Sequence, residues 1–346
     1  MMYRSNQRYS FWLQVTFLGV LLASCNPTAE QQMPTVTALP TATEISSGQS
    51  QIRRRIPLPQ GAWSVAFGAK SIWVTNKVEQ NVLRIDMDTG QAAGSPITVD
   101  FEPQEIAYGE GAIWVCSADH SRLARIDPGT NEVVTEIDLR PLAIPDHVFL
   151  LIAAGEGAVW ITDQTNVIQI DPRTNEIIGE PIPAGEEIIA VALGHGTLWT
   201  GSHDDGVISR VDAKTHRFVA SFDVGFSIHG LAVSDGSAWV LDEHGFAVVR
   251  IDPQTNQIQE RIPINFVGAN LAAGADSVWV APAARDSGAP TNNDGIARIY
   301  KEQKQIVETI HVGDVPASEY YSVYFSEGSL WVLVNTPQPS IVQIIP

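Results

Sequence analysis

Tryptophan recurs at Trp73, Trp114, Trp160, Trp199, Trp239, Trp279 and Trp331, at spacings of 41, 46, 39, 40, 40 and 52 residues. Each sits in the same local phrase: an apolar stretch, a Gly-x-Gly or Asp-Gly turn, a small-apolar-Trp-Val strand, a polar loop, an RIDPxTN-like segment and a last alternating stretch. A unit of about 40 residues holding four strand-length pieces is the pattern of a propeller blade, which buries its faces only against its neighbours. In blade 2 the pieces are EIAYG at 105–109, AIWVC at 112–116, LARID at 123–127 and VVTEIDL at 133–139. Blades 3, 4 and 5 repeat it over residues 152–182, 189–224 and 230–264. Alternating apolar and polar positions bounded by Gly, Asp, Asn and Pro argue strand throughout, so an all-β, seven-bladed β-propeller is expected.

The link between the third and fourth strands is DPGTN at 127–131, DPRTN at 171–175 and DPQTN at 252–256. Proline presets the turn, aspartate accepts local amide bonds and asparagine tolerates the left-handed conformation, so these aspartates read as turn formers rather than catalysts. One large ring per blade at a fixed strand position reads as a packing device between blades. Blade 7 stops after its third strand, SIVQIIP at 340–346, while QIRRRIPL at 51–58 matches the fourth-strand pattern QIQERIPI at 257–264. The N-terminal strand is therefore expected to complete the last blade and close the ring, which removes an exposed edge.

The chain is expected to divide into a signal peptide at 1–24, a lipidated Cys25 with a Thr/Pro-rich tether through residue 50, and one propeller at 51–346. Arg4 and Arg8 precede an apolar stretch too short for an ordinary membrane span, and this ends in LASC at 22–25. That tetrapeptide resembles the lipobox of bacterial lipoproteins, which implies acylation of Cys25 and an extracytoplasmic, membrane-anchored protein. Two or more acyl chains give stable attachment, and the polar tether would hold the propeller about 25–30 Å from the bilayer. The formal charge of −18 disfavours phosphate backbones, so no nucleic-acid partner is expected, whereas cations are accommodated. Cys116, on a second strand, reads as a small buried side chain in a monomeric propeller.

Chain direction puts the loops joining strands two to three, and four to the next blade, at one end of the ring. These are the irregular ones, the longest at 140–147, 281–295 and 312–320, and irregular loops on a rigid scaffold are where binding resides. His120, His147, His203, His229 and His244 map to that side with acidic neighbours, while His195 and His216 fall in stereotyped turns and His311 in a fourth strand. Imidazole and carboxylate are ligand types for a divalent cation, although no spacing here matches a fixed metal motif.

The IWV and RIDPxTN phrases resemble YVTN-type and quinoprotein-like seven-bladed propellers over nearly all of residues 52–346. A narrower similarity is to streptogramin B lyases. IHGL at 228–231 and DEH at 242–244 look like the segments carrying that family's channel-side residues, which implies His229, Glu243 and His244 as catalytic or metal-binding groups and Mg²⁺ or another divalent cation as cofactor. The chain departs from the family in having WVT, WIT and WVLD after its tryptophans where lyase-type repeats carry WFTE. The reading reached from the sequence is thus a lipid-anchored module that binds a small molecule or protein through its long-loop face. A metal-dependent C–O lyase at the channel and a scaffold for an envelope complex are the alternatives. If Cys25 is acylated, Cys25→Ala moves the protein from the detergent phase to the aqueous phase or leaves an unprocessed precursor. A wild-type protein without lipid mass that salt washes from membranes would refute the anchor.

Overall fold

The computed structural model describes residues 43–44, 52–145, 150–274, 276–283, 295–312, 321–335 and 338–346. The proposed signal peptide, Cys25, most of the tether and His147 lie outside the described residues.

Seven antiparallel sheets follow one another along the chain, each built from a meander whose first strand lies innermost. Blade 5 is representative, with strands Ile228–Ser234, Ser237–Asp242, Ala247–Asp252 and Gln257–Pro263. Blade 7 takes Tyr321–Ser326, Ser329–Val334 and Ser340–Ile344 from the C-terminal end and its outer strand, Ile52–Pro57, from the N-terminal end. Ile52–Pro57 pairs with the third strand from Ile52↔Ile344 to Pro57↔Ser340, so the expected closure is present. A two-residue strand, Thr43–Glu44, adds to the outside of that blade. Among the described residues the one helical element is a 3₁₀ turn at Arg140–Leu142.

Two outer strands are shorter than the repeat predicts. In blade 1 the fourth strand is only Ile97–Thr98, and in blade 3 it is split into Glu176–Ile177 and Ile182–Pro183. Both breaks carry a Gly-x-Pro insertion, Gly94 to Pro96 and Gly179 to Pro181, in which the glycine has a positive φ. Proline cannot donate to the ladder, so such a break is tolerated on an outer edge.

The seven repeat tryptophans are 0–1 % exposed, and each lies in a hydrophobic cluster shared with the next blade. Trp73 clusters with Ile106, Ile113 and Val115 of blade 2, Trp114 with Val159 and Ile161 of blade 3, and so on around to Trp331, which joins Ile72 and Val74 of blade 1. Seven seams rather than one central core hold the ring. Removing an indole from such a seam costs about 3–5 kcal/mol through lost burial and the cavity left behind.

A second repeated contact locks neighbouring blades. Arg84, paired across the ladder with Trp73, lies over that ring with its guanidinium carbon 4.8 Å from the centroid. Its Nη1 donates to Pro128 O at 2.6 Å and Asn131 Oδ1 at 2.8 Å, in the DPGTN turn of the next blade. Arg125 repeats this on Pro172 O and Asn175 Oδ1, and Arg210 on Pro253 O and Asn256 Oδ1. The turn presents those acceptors because Asn131, Asn175 and Asn256 adopt φ of 60°, 61° and 57°. The aspartates do form the turns, Asp127 Oδ1 accepting from Gly129 N at 2.6 Å and Asp171 Oδ1 from Arg173 N at 2.8 Å. Where blade 3 has Gln169 in place of arginine, the blade 4 turn has His216 in place of asparagine, set edge-on to Trp160 at 5.8 Å. Cys116 is fully buried and burial raises its thiol pKa, which disfavours the thiolate that a nucleophile needs.

Deleting residues 26–50 should leave thermal stability nearly unchanged. Deleting residues 26–60 removes the buried Ile52, Ile56 and Leu58 and exposes the edge of blade 7, at an expected cost of roughly 5 kcal/mol. Equal melting temperatures would show that the N-terminal strand contributes nothing. Arg84→Met should cost about 1–3 kcal/mol through two lost acceptors, measured by chemical denaturation.

Candidate functional site

A register shift recurs near the start of the inner strands. Between Ala62 and Val65, Pro103 and Ile106, Ile188 and Ala190, Ile228 and Gly230, and Gly268 and Asn270, the inner strand carries one more residue than its partner. A bulge of this kind re-aims a side chain at a sheet rim. In blade 5 the extra residue is His229.

The residue following the second strand is equally regular. The backbone amides of Lys77, Ala118, His203, Glu243 and Ala283 donate to Gly61 O, Glu102 O, Glu187 O, Ser227 O and Val267 O at 2.8–3.2 Å. These bonds bring one residue from each of these five blades to the same end as the bulge. His203 and Glu243 therefore occupy equivalent positions in adjacent blades. Asp242 Oδ1 accepts from Gly245 N at 2.7 Å, and Arg261 pairs with the other oxygen, which holds the turn that carries Glu243. Gly206 closes the loop after His203 at φ 63°, where a Cβ would meet Phe226 O at 2.5 Å.

The result is a cluster spanning blades 4 and 5. His203 Nε2 lies 2.9 Å from Glu243 Oε2, and His203 Nδ1 lies 2.9 Å from Asp204 Oδ1. His229 Nδ1 lies 3.9 Å from Glu243 Oε1, and the two imidazole rings meet edge to face at 6.1 Å. One ligand atom each from His203, His229 and Glu243 falls within 4.8 Å of the others. His244 Nδ1 is 3.7 Å from Glu243 Oε2, but its side chain is 75 % exposed.

The charges are set by these contacts. The bond to Glu243 pushes the His203 pKa up to about 9, against the cost of its burial and with help from Asp204. Burial dominates at His229 and lowers its pKa, and His229 Nδ1 is a buried atom with no hydrogen-bond partner. The bond from His203 holds the Glu243 carboxyl below its ordinary range, while burial and then Asp204 raise that of Glu187.

Of the residues singled out from the sequence, the structure brings His229 and Glu243 together, sets His244 at the solvent edge, and adds His203 between two carboxylates. His203 was legible as a variable-side histidine. Its membership in the cluster follows from the equivalence of His203 with Glu243 in the blade repeat. His120 is elsewhere, 4 % exposed in blade 2 with Nδ1 3.1 Å from Pro145 O. His195 Nε2 accepts from Gly236 N at 3.1 Å in the stereotyped turns at the opposite end.

Two imidazole nitrogens and a carboxylate oxygen suit a divalent cation, and the partnerless His229 nitrogen fits a ligand role. The set favours a later transition ion over Mg²⁺, which prefers oxygen. Asp204 on the far nitrogen of His203 matches the carboxylate that commonly orients a metal-binding imidazole.

No family model and no curated protein matches this chain. Among solved structures it is similar to selenomethionine-substituted virginiamycin B lyase from Staphylococcus aureus, with a TM-score of 0.67, 18 % identity and coverage of 84 % of this chain and 98 % of that one. A catalytically inactive variant of the S. aureus enzyme with quinupristin gives 0.65 and 16 %, covering 88 % and 99 %. A further streptogramin B lyase gives 0.66 and 16 %, covering 86 % and 100 %. At these identities the likeness speaks for fold alone. Strand order and likeness together make the chain a seven-bladed β-propeller of the architecture shared by the streptogramin B lyases.

Proposed function

We propose that this protein is a lipid-anchored, extracytoplasmic binding module whose long-loop face captures its ligand through a divalent cation held by His203, His229 and Glu243. The observation that carries the reading is the convergence of these three groups from two blades onto one point. None of them is needed by the repeat. The equivalent slots hold Ala118 and Ala283 after the second strand, and Ile189 and Ala269 in the bulge, so the ring forms without imidazoles. Three protein ligands leave coordination positions open for oxygen or nitrogen donors of a ligand.

A second reading, a metal-dependent lyase, is favoured by one further observation. Burial keeps the His229 imidazole neutral, the protonation state a general base requires. The architecture it shares with streptogramin B lyases is compatible with this role. Quinupristin, present in one similar structure, is the first substrate to test. Its turnover by wild type and loss in His229→Ala would support the lyase, whereas binding without turnover would leave the binding module.

Zn²⁺ or Mn²⁺ added to metal-free protein should raise the melting temperature more than Mg²⁺, because a cation that binds only the folded state stabilises it by mass action. His203→Ala and His229→Ala should each abolish that rise, and His244→Ala should leave most of it. No rise with any divalent cation would eliminate the cation reading.

The pH dependence has a definite sign. In metal-free protein the folded pKa of His203 is about 9 and its unfolded value is near 6.5. The protonated form therefore contributes stability that is fully present below pH ~6.5 and is lost as pH rises through ~9. A histidine NMR titration should place the His203 midpoint near 9, and Glu243→Gln should bring it back toward the ordinary imidazole range. A wild-type midpoint near 6.5 would show that the His203–Glu243 bond does not form in solution.

A further inference from the structure

The repeat positions that build the cluster in blades 4 and 5 recur in blades 1 and 2 with a different set of side chains. Lys77 stands in the slot of His203 and Glu243, its amide donating to Gly61 O at 2.9 Å. Trp63 lies in the bulge of blade 1, where blade 5 has His229. Glu102 stands where Glu187 does, accepting the amide of the residue after the second strand. Glu105 lies in the inner strand of blade 2 and accepts from Ser64 Oγ at 2.9 Å.

Trp63 takes no part in the seams that hold the ring. The repeat tryptophans are 0–1 % exposed, whereas Trp63 is 38 % exposed, and the seams are complete without it. Lys77 Nζ sits 3.2 Å from the centroid of the Trp63 ring. Its carboxylate partner Glu102 is at 4.0 Å, the limit of an ion pair, and burial lowers the lysine pKa. An ammonium group thus lies on an indole face beside two carboxyl groups, in a place where it is partly stripped of water and loosely paired. That geometry marks a seat for an organic cation, attracted by the negative face of the ring and by the acids around it.

We propose that the mouth of blades 1 and 2 is a second binding site, specific for a small organic ammonium, in which Trp63 and the Glu102 and Glu105 carboxyls form the seat and Lys77 is its tethered resident. Lys77 has a flexible stem and swings out when a ligand ammonium takes its place. The site is independent of the cation cluster of blades 4 and 5, with which it shares only the register of the repeat. A tethered competitor at high effective concentration keeps the affinity of wild type low, so removing the Lys77 ammonium increases it.

The test is isothermal calorimetry of full-length wild type, Lys77→Met and Trp63→Leu with tetramethylammonium, with sodium at equal ionic strength as the control and acetate as the anion probe. Lys77→Met is expected to bind tetramethylammonium at least ~10-fold more tightly than wild type, in line with loss of a tethered competitor. Trp63→Leu should not bind it saturably, and neither variant should change the Zn²⁺-dependent rise in melting temperature. Melting curves of both variants establish that they are folded. Folded Lys77→Met with no saturable binding, or with affinity equal to wild type, overturns the proposal. Saturable acetate binding lost in Lys77→Met also overturns it, because Lys77 would then be a ligand contact for anions.

Discussion

The seam made by one indole per blade is the contact on which the rest of this structure depends. A four-stranded blade has two apolar faces and no core of its own, so it is stable only when both are covered. Trp73, Trp114, Trp160, Trp199, Trp239, Trp279 and Trp331 each insert into the next blade, and the last inserts into the first. The ring is therefore a closed cycle of equivalent interfaces. The outer strand Ile52–Pro57 ties the two chain ends into that cycle. The arginine clasp adds direction at three seams, because Arg84, Arg125 and Arg210 each lie on their own blade's indole and bond the turn of the following blade.

Rigidity at the seams is what frees the mouth of the ring. In blades 1, 2, 4, 5 and 6 the inner strand starts with a bulge and the residue after the second strand is tied to the blade entry, which brings side chains of several blades to a common rim. Blades 2 and 6 fill the slot after the second strand with Ala118 and Ala283. Blades 4 and 5 fill it with His203 and Glu243, and blade 1 with Lys77. Polar side chains thus sit on the scaffold at positions that the repeat fills differently from blade to blade. The carboxylates on both nitrogens of His203 and the burial of His229 set two imidazoles 6.1 Å apart to opposite protonation tendencies.

Much of this architecture is readable in the chain itself, because it is periodic. A strand period of two, turn chemistry at DPxTN and a tryptophan about every 40 residues determine blades, turns and their number without knowledge of any contact. The unfinished seventh blade and the matching residues 51–58 determine ring closure in the same way. The short outer strands of blades 1 and 3 were also encoded, in Gly94 to Pro96 and Gly179 to Pro181, as breaks in the ladder.

The candidate site was only half readable, for a physical reason. His229 and Glu243 belong to one blade, so their proximity follows from a hairpin register, and their pairing was within reach of the sequence. His203 comes from the neighbouring blade, 40 residues from Glu243, and meets it only because seam packing sets the angle between two sheets. The exposure of His244, the burial of His120 and the protonation of each imidazole depend likewise on what surrounds them in space. Sequence alone determined the repeat, its turns and its closure, since these follow from local periodicity. Tertiary structure alone decided which polar side chains meet at the mouth and which charge each one carries, since those depend on distances across blades and on access to water.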